Sequence, residues 1–378
     1  MFKKLFSYLK KFDWITLIIV IFFISLGLMS IYGISLGSGE TNLLSFRKQI
    51  IFAVCGIILV FIISSFDYKA LKTYAVWVYG ASTALLLGVL ALGKIVRGTK
   101  GWFELYGLRF QPVELAKIFL IIILAKYFSG KIYETKKFSH IAVSGVIALL
   151  SILPTMLQPD LGSAAILFFI WLGMLLLFGA KKRYLIAIFA ILISAAAFSF
   201  AALKNYQKDR IYTFLDPSRD PLGKGYNITQ SLIAIGSGRL KGKGLGSGTQ
   251  TQLKFLPETK TDFIFSVIAE EMGFGIIILI FIGWIILLYR LLRLAKLSSN
   301  SFAAFLTLGI SIFLFVHFFV NVGVSTGILP VTGIPLPFMS YGGSFLITCL
   351  ISIGIIESIA LRTKSSASNI KSGFNEIN

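Results

Sequence analysis

The sequence predicts an all-α polytopic membrane protein with about ten transmembrane helices. Of its 378 residues, 56% are hydrophobic and only 14% are charged, and the mean hydropathy is +0.86, which is unusual for a soluble domain. The apolar residues also form runs about as long as a helix needs to cross a bilayer. These runs lie near residues 14–34, 49–66, 74–93, 112–128, 140–157, 161–179, 184–203, 262–289, 302–323 and 340–361.

The distribution of Lys and Arg predicts the orientation, because cytoplasmic loops carry an excess of these residues. If the N-terminus is cytoplasmic, most basic residues of the short loops fall on the inner side. We therefore expect both termini in the cytoplasm and one long extracytoplasmic loop, 204–261, between spans 7 and 8. Residues 1–363 then form a single membrane domain, and the Ser- and Lys-rich segment 364–378 is predicted to be a disordered cytoplasmic tail.

The net charge of +20 would suggest nucleic acid in a soluble protein. Here the basic residues lie between apolar runs, so topology and anionic lipids explain them better, and no nucleic-acid partner is expected. The two cysteines, Cys55 and Cys349, fall inside apolar runs, which argues against a disulfide framework or a metal site. The first apolar run is interpreted as a retained span, not as a cleaved signal peptide.

The junction between the long loop and the eighth span is the leading candidate for a functional site. Thr261 can cap the start of a helix, and Asp262 suits its first turn, where a negative charge complements the helix dipole. Glu270 follows eight residues later, about 12 Å along the helix axis. Intramembrane carboxylates are costly and usually mark function. The alternative is a capped helix start whose acids pair with basic residues on neighbouring helices.

Four more polar residues stand out against apolar surroundings. Glu114 and Lys117 are three residues apart and share a helix face, either as a site or as a buried ion pair. Asp160 is either an acid at a helix start or a group that lines a cavity. His317 is expected to be a core histidine with satisfied hydrogen bonds. The Pro- and Gly-rich hairpin 329–343 is expected to pack on protein, because irregular backbone is not tolerated against lipid.

Glycine and basic residues alternate in residues 238–244 of the long loop. Such a segment can expose backbone N–H groups beside positive charge, which suits phosphate. The spacing does not match a Walker loop. The alternative is a flexible basic loop.

Several motifs in the same order resemble the RodA/FtsW/SpoVE family, also called SEDS proteins. The motifs are Gly101-Trp102, the segment Phe110 to Lys117, the segment Gln158 to Gly162, Phe255 to Glu258 with Thr261 to Phe265, and Pro335 to Phe338 with Ser340 to Gly343. Residues 220–223, 246–253 and 267–271 look most like the RodA branch. One position departs from the pattern: Lys260 stands where the family usually has His.

The resemblance implies a peptidoglycan glycosyltransferase of the cytoplasmic membrane. It would polymerise lipid II into glycan strands for cell elongation and shape, with undecaprenyl pyrophosphate as leaving group. The resemblance also implies a class B penicillin-binding protein as the crosslinking partner, together with other membrane proteins of the elongation complex.

The reaction needs a base for the attacking sugar hydroxyl and positive charge for the departing phosphates. Asp262 suits the base, because it is expected to face outward. A metal-ligand role ranks lower, since no second carboxylate is near it in sequence; a divalent cation stays open, and no other cofactor is expected. The expected substrate-binding residues are Arg210, Lys117, Glu114, Asp160 and Glu270.

Two other functions are compatible with the sequence. A flippase for lipid-linked precursors would need a charged central cavity, which could be lined by Glu114, Lys117, Asp160 and Glu270. A non-catalytic scaffold would only recruit the crosslinking enzyme.

Overall fold

The computed structural model describes residues 11–37, 43–96, 98–105, 108–132, 138–184, 186, 190 and 224–375. This part of the chain consists mainly of long helices. In chain order the helices are α1 (Trp14–Gly37), α2 (Leu44–Ser65), α3 (Lys69–Leu92), α4 (Pro112–Gly130), α5 (Phe138–Leu157), α6 (Leu161–Phe178), α7 (Lys224–Ser237), α8 (Thr249–Gln252), α9 (Ile264–Leu297), α10 (Ser301–Ser325) and α11 (Gly343–Asn375).

Eight of the described helices are long and apolar enough to cross a membrane, which confirms an all-α polytopic membrane protein. They are α1, α2, α3, α5, α6, α9, α10 and the Gly343–Thr363 part of α11. They correspond to eight of the ten predicted spans. The predicted seventh span, 184–203, lies largely outside the described residues. The number of spans and their orientation therefore stay predictions.

Helix α4 is the predicted fourth span, and it begins at Pro112 as expected. It carries Glu114, Lys117 and Lys126 within 19 residues, and these three charges distinguish it from the eight helices named above. It packs against α3, α5, α6, α10 and α11, and most of its side chains are buried. Glu114 and Lys117 are thus placed inside the protein and away from lipid, whereas Lys126 is only half-buried.

A stacked group of aromatic side chains joins α1, α9 and α10. The Trp284 ring lies 5.3 Å from the Phe23 ring and 4.6 Å from the Phe318 ring, centroid to centroid. Phe338, from the segment before α11, completes the group 6.3 Å from Trp284. This packing fixes α9 and the 329–343 hairpin against the same core.

A small antiparallel sheet interrupts the helical architecture between α3 and α4, and the sequence did not predict it. Its strands β1 (Lys94–Val96), β2 (Thr99–Leu105) and β3 (Leu108–Phe110) lie in that order. The backbone N–H of Lys100 donates to the Gln158 carbonyl oxygen at 3.2 Å. The sheet is thereby attached to the turn between α5 and α6.

Helix α9 is broken at Gly273, whose φ of 80° and ψ of 177° are not helical. Residues 239–244 of the long loop satisfy the peptide groups that the break exposes. The N–H groups of residues 243 and 244 donate to the carbonyl oxygens of residues 270 and 271, at 3.0 and 2.9 Å. The N–H groups of residues 274 and 275 donate to the carbonyl oxygens of residues 239 and 240, at 2.8 and 3.1 Å. The break is therefore built into the fold.

Glycine is required on both sides of this contact. A Cβ atom on Gly242 would collide with the Glu271 carbonyl oxygen, and one on Gly273 would collide with the Gly242 nitrogen. Gly273 also needs a positive φ, which glycine adopts without strain. The predicted single span 262–289 is thus two helical segments, 264–272 and 274–297.

Helix α11 runs on through residues 364–375, where the sequence predicts a disordered tail. These residues contain no proline and a single glycine, so the local sequence does not stop the helix. The domain boundary at residue 363 stays a prediction.

Candidate active site

Asp262 lies on a turn immediately before α9 and not inside its first turn as predicted. The helix begins at Ile264 with Phe263 at the N-cap position, and no side chain caps it. The Thr261 hydroxyl instead donates to Glu258 Oε2 at 3.1 Å. The expected Thr261 cap is therefore wrong, because the turn that begins at Glu258 captures this hydroxyl.

The backbone that carries Asp262 is held at three successive carbonyl oxygens, those of residues 260, 261 and 262. They accept from the Tyr341 N–H, the Ser340 hydroxyl and the Asn321 amide, at 2.8, 2.7 and 2.9 Å. None of these hydrogen bonds uses the Asp262 side chain, which is partly exposed. The position of the carboxylate is thus fixed through the main chain.

The residues that hold this backbone are themselves fixed. The Ser340 hydroxyl accepts from the Leu336 N–H at 2.8 Å, and Gln49 of α2 donates its amide to the Ser340 carbonyl oxygen at 3.1 Å. Asn321 of α10 also donates to the Ile334 carbonyl oxygen at 2.8 Å. The 329–343 hairpin therefore packs on protein, as expected, and connects the Asp262 turn to α2 and α10.

Tyr341 lies close to the Asp262 turn, but it is a poor base. Burial raises the pKa of its phenol above the ordinary value of 10.0, and a hydrogen bond with Ser45 only partly opposes that rise. The phenol therefore stays protonated at neutral pH.

Asp160 and Asp262 lie beside neighbouring residues of the same hairpin. A Cβ atom on Gly162 would lie 2.5 Å from the Thr332 carbonyl oxygen, so the start of α6 touches the hairpin there. A Cβ atom on Gly333 would lie 3.6 Å from Asp262 Oδ2. The hairpin thus brings the two predicted acids into one region of the protein.

Asp160 occupies the N-cap of α6, which agrees with the first of its two predicted roles. Its Oδ1 accepts from the Ser163 N–H at 2.9 Å, and its Oδ2 accepts from the Gln111 amide at 3.2 Å. The side chain is only half-buried.

Glu114 and Lys117 form the buried ion pair that the sequence offered as one alternative. Lys117 Nζ lies 3.0 Å from both carboxylate oxygens, and the two residues are 1% and 3% exposed, Lys117 being the lower. Lys117 Nζ also lies 3.2 Å from His317 Nε2. Because His317 Nδ1 faces the Phe313 carbonyl oxygen at 2.9 Å, Nδ1 carries the proton and Nε2 accepts from Lys117. His317 is thus a satisfied core histidine, as expected.

Glu270 does not join this group. Its carboxylate is fully buried and accepts from the N–H groups of Gln250 and Thr251, at 3.0 and 3.2 Å, and from the Thr251 hydroxyl at 2.8 Å. It also pairs with Lys243 Nζ at 3.1 Å. These contacts occupy the carboxylate, so we revise its expected role from binding substrate to holding the loop.

The glycine-rich segment does not offer its amides to phosphate as predicted. The N–H groups of residues 243 and 244 donate to α9, and that of Gly242 donates to the Gly238 carbonyl oxygen at 2.8 Å. Lys243 is engaged by Glu270. The exposed side chains of Arg239 and Lys241 remain as positive charge on the surface of this segment.

Two further outcomes concern the predicted site. Arg210 lies outside the described residues. Among the residues that are described, no group of three or more His, Cys, Asp or Glu side chains is placed to hold a metal ion.

No roles were predicted from the sequence for three residues that support the Asp262 turn, Gln49, Asn321 and Ser340. Each is a polar residue in or beside an apolar run.

Comparison with known proteins identifies the family. The profile described as "Cell cycle protein", FTSW_RODA_SPOVE, matches residues 13–365. Peptidoglycan glycosyltransferase MrdB of Escherichia coli (strain K12) is 38% identical over 320 residues, which cover 83% of this chain and 85% of that protein. Stage V sporulation protein E of Bacillus subtilis (strain 168) is 33% identical over 358 residues, which cover 92% of this chain and 96% of that protein.

Solved structures agree with this result. A chain from a peptidoglycan synthase complex, studied for its coordination of polymerization and crosslinking, superimposes with a TM-score of 0.79 at 31% identity and covers 93% of this chain and 98% of its own length. The crystal structure of the Thermus thermophilus rod shape determining protein RodA gives a TM-score of 0.68 at 27% identity, covering 92% of this chain and 96% of its own. The chain therefore belongs to the FtsW/RodA/SpoVE family and is most like RodA.

Proposed function

We propose that the chain is a peptidoglycan glycosyltransferase that polymerises lipid II into glycan strands for cell elongation and shape. Relatives that are named peptidoglycan glycosyltransferases support the enzyme class. The observation that carries the proposal for this site is the support of the Asp262 backbone at three successive carbonyl oxygens. This support holds one partly exposed carboxylate at the start of a helix, as a general base requires.

In the proposed reaction the acceptor hydroxyl attacks the anomeric carbon of the donor sugar. The new glycosidic C–O bond forms as the bond to pyrophosphate breaks, and undecaprenyl pyrophosphate leaves with the electron pair. The Asp262 carboxylate takes the proton of the attacking hydroxyl. Positive charge for the leaving group comes from exposed basic side chains of the long loop, such as Lys241 and Lys254, and from Arg210.

Lys117 and Glu114 do not touch substrate in this scheme. Both are buried and bonded to each other, so we propose that they support α4 against α10. The same observation weakens the flippase alternative, which would need these charges to line an open path. A divalent cation bound with Asp262 remains compatible with the scheme, because a carboxylate is a suitable ligand for such an ion.

We propose a class B penicillin-binding protein as partner, with other elongation-complex membrane proteins around it, in the cytoplasmic membrane. The structural similarity to a chain from a polymerization and crosslinking complex supports a crosslinking partner. The lipid-linked substrate is then on the outer face, where we expect Asp262 to lie.

Purified protein in liposomes with labelled lipid II distinguishes the three functions. We expect glycan strands. Movement of the lipid between leaflets without polymer would indicate a flippase, and neither activity in the presence of the partner would indicate a scaffold.

The base is tested by Asp262→Asn. The change leaves the backbone support intact, because that support uses only main-chain oxygens of residues 260–262. We expect normal insertion but polymerisation at least about a hundredfold slower, the usual scale for loss of a general base. Asp67→Asn is the matched control, since Asp67 also precedes a helix and accepts from the Lys69 N–H. Full polymerisation by a folded Asp262→Asn protein would exclude Asp262 as the base.

A further inference from the structure

We infer that Glu270 is a positioning residue for Asp262. Its carboxylate closes residues 250–270 into a ring by hydrogen bonds, and this ring carries the base. The inference rests on the proposed function of Asp262, but the ring itself is a feature of the described residues. Two observations support it, the contacts of the Glu270 carboxylate and the course of the chain between those contacts.

The Glu270 carboxylate joins two points that are far apart along the chain. Gln250 and Thr251, whose N–H groups donate to it, precede it by 20 and 19 residues. Asp262 lies between these points on the only covalent path that connects them. The segment 250–270 is therefore closed by hydrogen bonds at one place and carries the base near its middle.

Other contacts also restrict the conformation of the ring. The N–H groups of Phe255 and Leu256 both donate to the Gln250 carbonyl oxygen, at 3.1 and 3.2 Å, so the first turn after α8 is folded back on itself. From Ile264 to Glu271 the segment is a buried helix. Hydrogen bonds on one side and a buried helix on the other thus restrict the path from the carboxylate to Asp262.

The Glu270 carboxylate makes several charge-assisted hydrogen bonds at one place. The carboxylate is fully buried, accepts three hydrogen bonds from residues 250 and 251, and pairs with the partly exposed Lys243 ammonium. Hydrogen bonds to an ionised acceptor are roughly twice as strong as neutral ones. Lys243 also donates its N–H to the Glu270 carbonyl oxygen, so side chain and main chain tie the same residue to the loop.

Loss of the carboxylate opens the ring at a point remote from the reacting atoms. Asp262 then keeps its side chain and the hydrogen bonds that the carbonyl oxygens of residues 260–262 accept from residues 321, 340 and 341, but it loses the second support of its position relative to the substrate. A misplacement of about 1 Å by a distant mutation can cost roughly a hundredfold in rate, because general bases act only at hydrogen-bond distance. Substrate binding, which uses other groups, should change little.

The test compares Glu270→Ala, Glu270→Gln and the control Glu357→Gln in purified, folded protein. Glu357 is an equally buried carboxylate, but it accepts from the Asp13 N–H near the other end of α9. We expect Glu270→Ala to lower kcat for lipid II polymerisation by about ten- to a hundredfold with KM within about twofold. Glu270→Gln retains an acceptor oxygen and should recover part of the rate, and Glu357→Gln should leave kcat unchanged.

Hydrogen–deuterium exchange provides a readout that does not depend on activity. We expect Glu270→Ala to speed amide exchange in residues 250–263, and Glu357→Gln to leave this segment unchanged. Unchanged exchange in Glu270→Ala would overturn the inference, and so would a loss of activity that appears only as a higher KM, which would indicate direct substrate binding. Absence of polymerisation by the unmodified protein would refute the proposed function, while the exchange data would still decide whether the ring exists.

Discussion

The buried group formed by Glu114, Lys117 and His317 leads to a quantitative prediction about stability. Lys117→Met removes the ammonium and leaves the Glu114 carboxylate, 3% exposed, without its cation. Glu114→Gln leaves the ammonium unpaired in the same way. Removing one partner of a buried pair costs about 3–5 kcal/mol, because the remaining charge stays desolvated.

The double variant Glu114→Gln with Lys117→Met should lose far less unfolding free energy than the two single losses added together. If the two single losses were independent, they would add to about 6–10 kcal/mol. With both charges removed, the main remaining cost is His317 Nε2, which loses the donor that lies 3.2 Å away. An unsatisfied buried acceptor costs about 1–3 kcal/mol. The double variant should therefore be at least about as stable as the more stable of the two single variants.

Exchanging the two charges should rescue stability only in part. A carboxylate at position 117 would face the lone pair of His317 Nε2, and His317 cannot turn its proton toward it without losing the bond from Nδ1 to Phe313. The exchange variant is therefore expected to be less stable than the neutral double variant.

The assay measures the unfolding of the purified variants in one detergent, once by heating and once by chemical denaturant. Glu104→Gln is the control, because Glu104 pairs with Lys94 on the exposed sheet and surface pairs contribute little. Single variants as stable as the unmodified protein, or a double variant as unstable as the sum of the two, would refute the reasoning.

Two further predictions concern the loop and the orientation. Gly242→Ala would collide with the Glu271 carbonyl oxygen at a φ of 76°, so it should cost at least about 1–3 kcal/mol of unfolding free energy, measured in the same assay. Gly236→Ala, with nothing within 4 Å of its new methyl group, is the control; equal stability of the two variants would contradict the close contact. Ser247→Cys, on the exposed loop, should react with an impermeant thiol reagent from outside the cell, whereas Lys182→Cys should not. The opposite labelling would reverse the predicted orientation.

The sequence predicted the features that depend on local pattern. The apolar runs located eight membrane helices, and Pro112 marked the start of α4. The three-residue spacing of Glu114 and Lys117 indicated their pairing, because residues three apart on a helix share a face. One of the two roles predicted for Asp160, that of an acid at a helix start, is likewise confirmed.

Features that depend on distant partners could not be predicted. His317 joins Lys117 across 200 residues, and Gln250 and Thr251, which donate to the Glu270 carboxylate, lie 20 and 19 residues before it in the short helix α8. The break at Gly273 looks in sequence like any glycine in an apolar helix, because its cause is the docking of residues 239–244. The small sheet before α4 was not predicted for a different reason: β1 and β3 have only three residues each, and the seven residues of β2, Thr99–Leu105, do not alternate regularly between apolar and polar.

The break in α9 also constrains the order in which the chain matures. A newly made chain can enter the membrane with all 34 residues of α9 as one continuous helix, which satisfies its backbone internally. Kinking at Gly273 before residues 239–244 dock would leave two carbonyl and two N–H groups without these partners, and unpaired backbone groups away from water are costly. We therefore expect kinking and docking to occur together. If Asp262 is the base, as proposed above, we expect a freshly inserted chain to stay inactive until that step is complete.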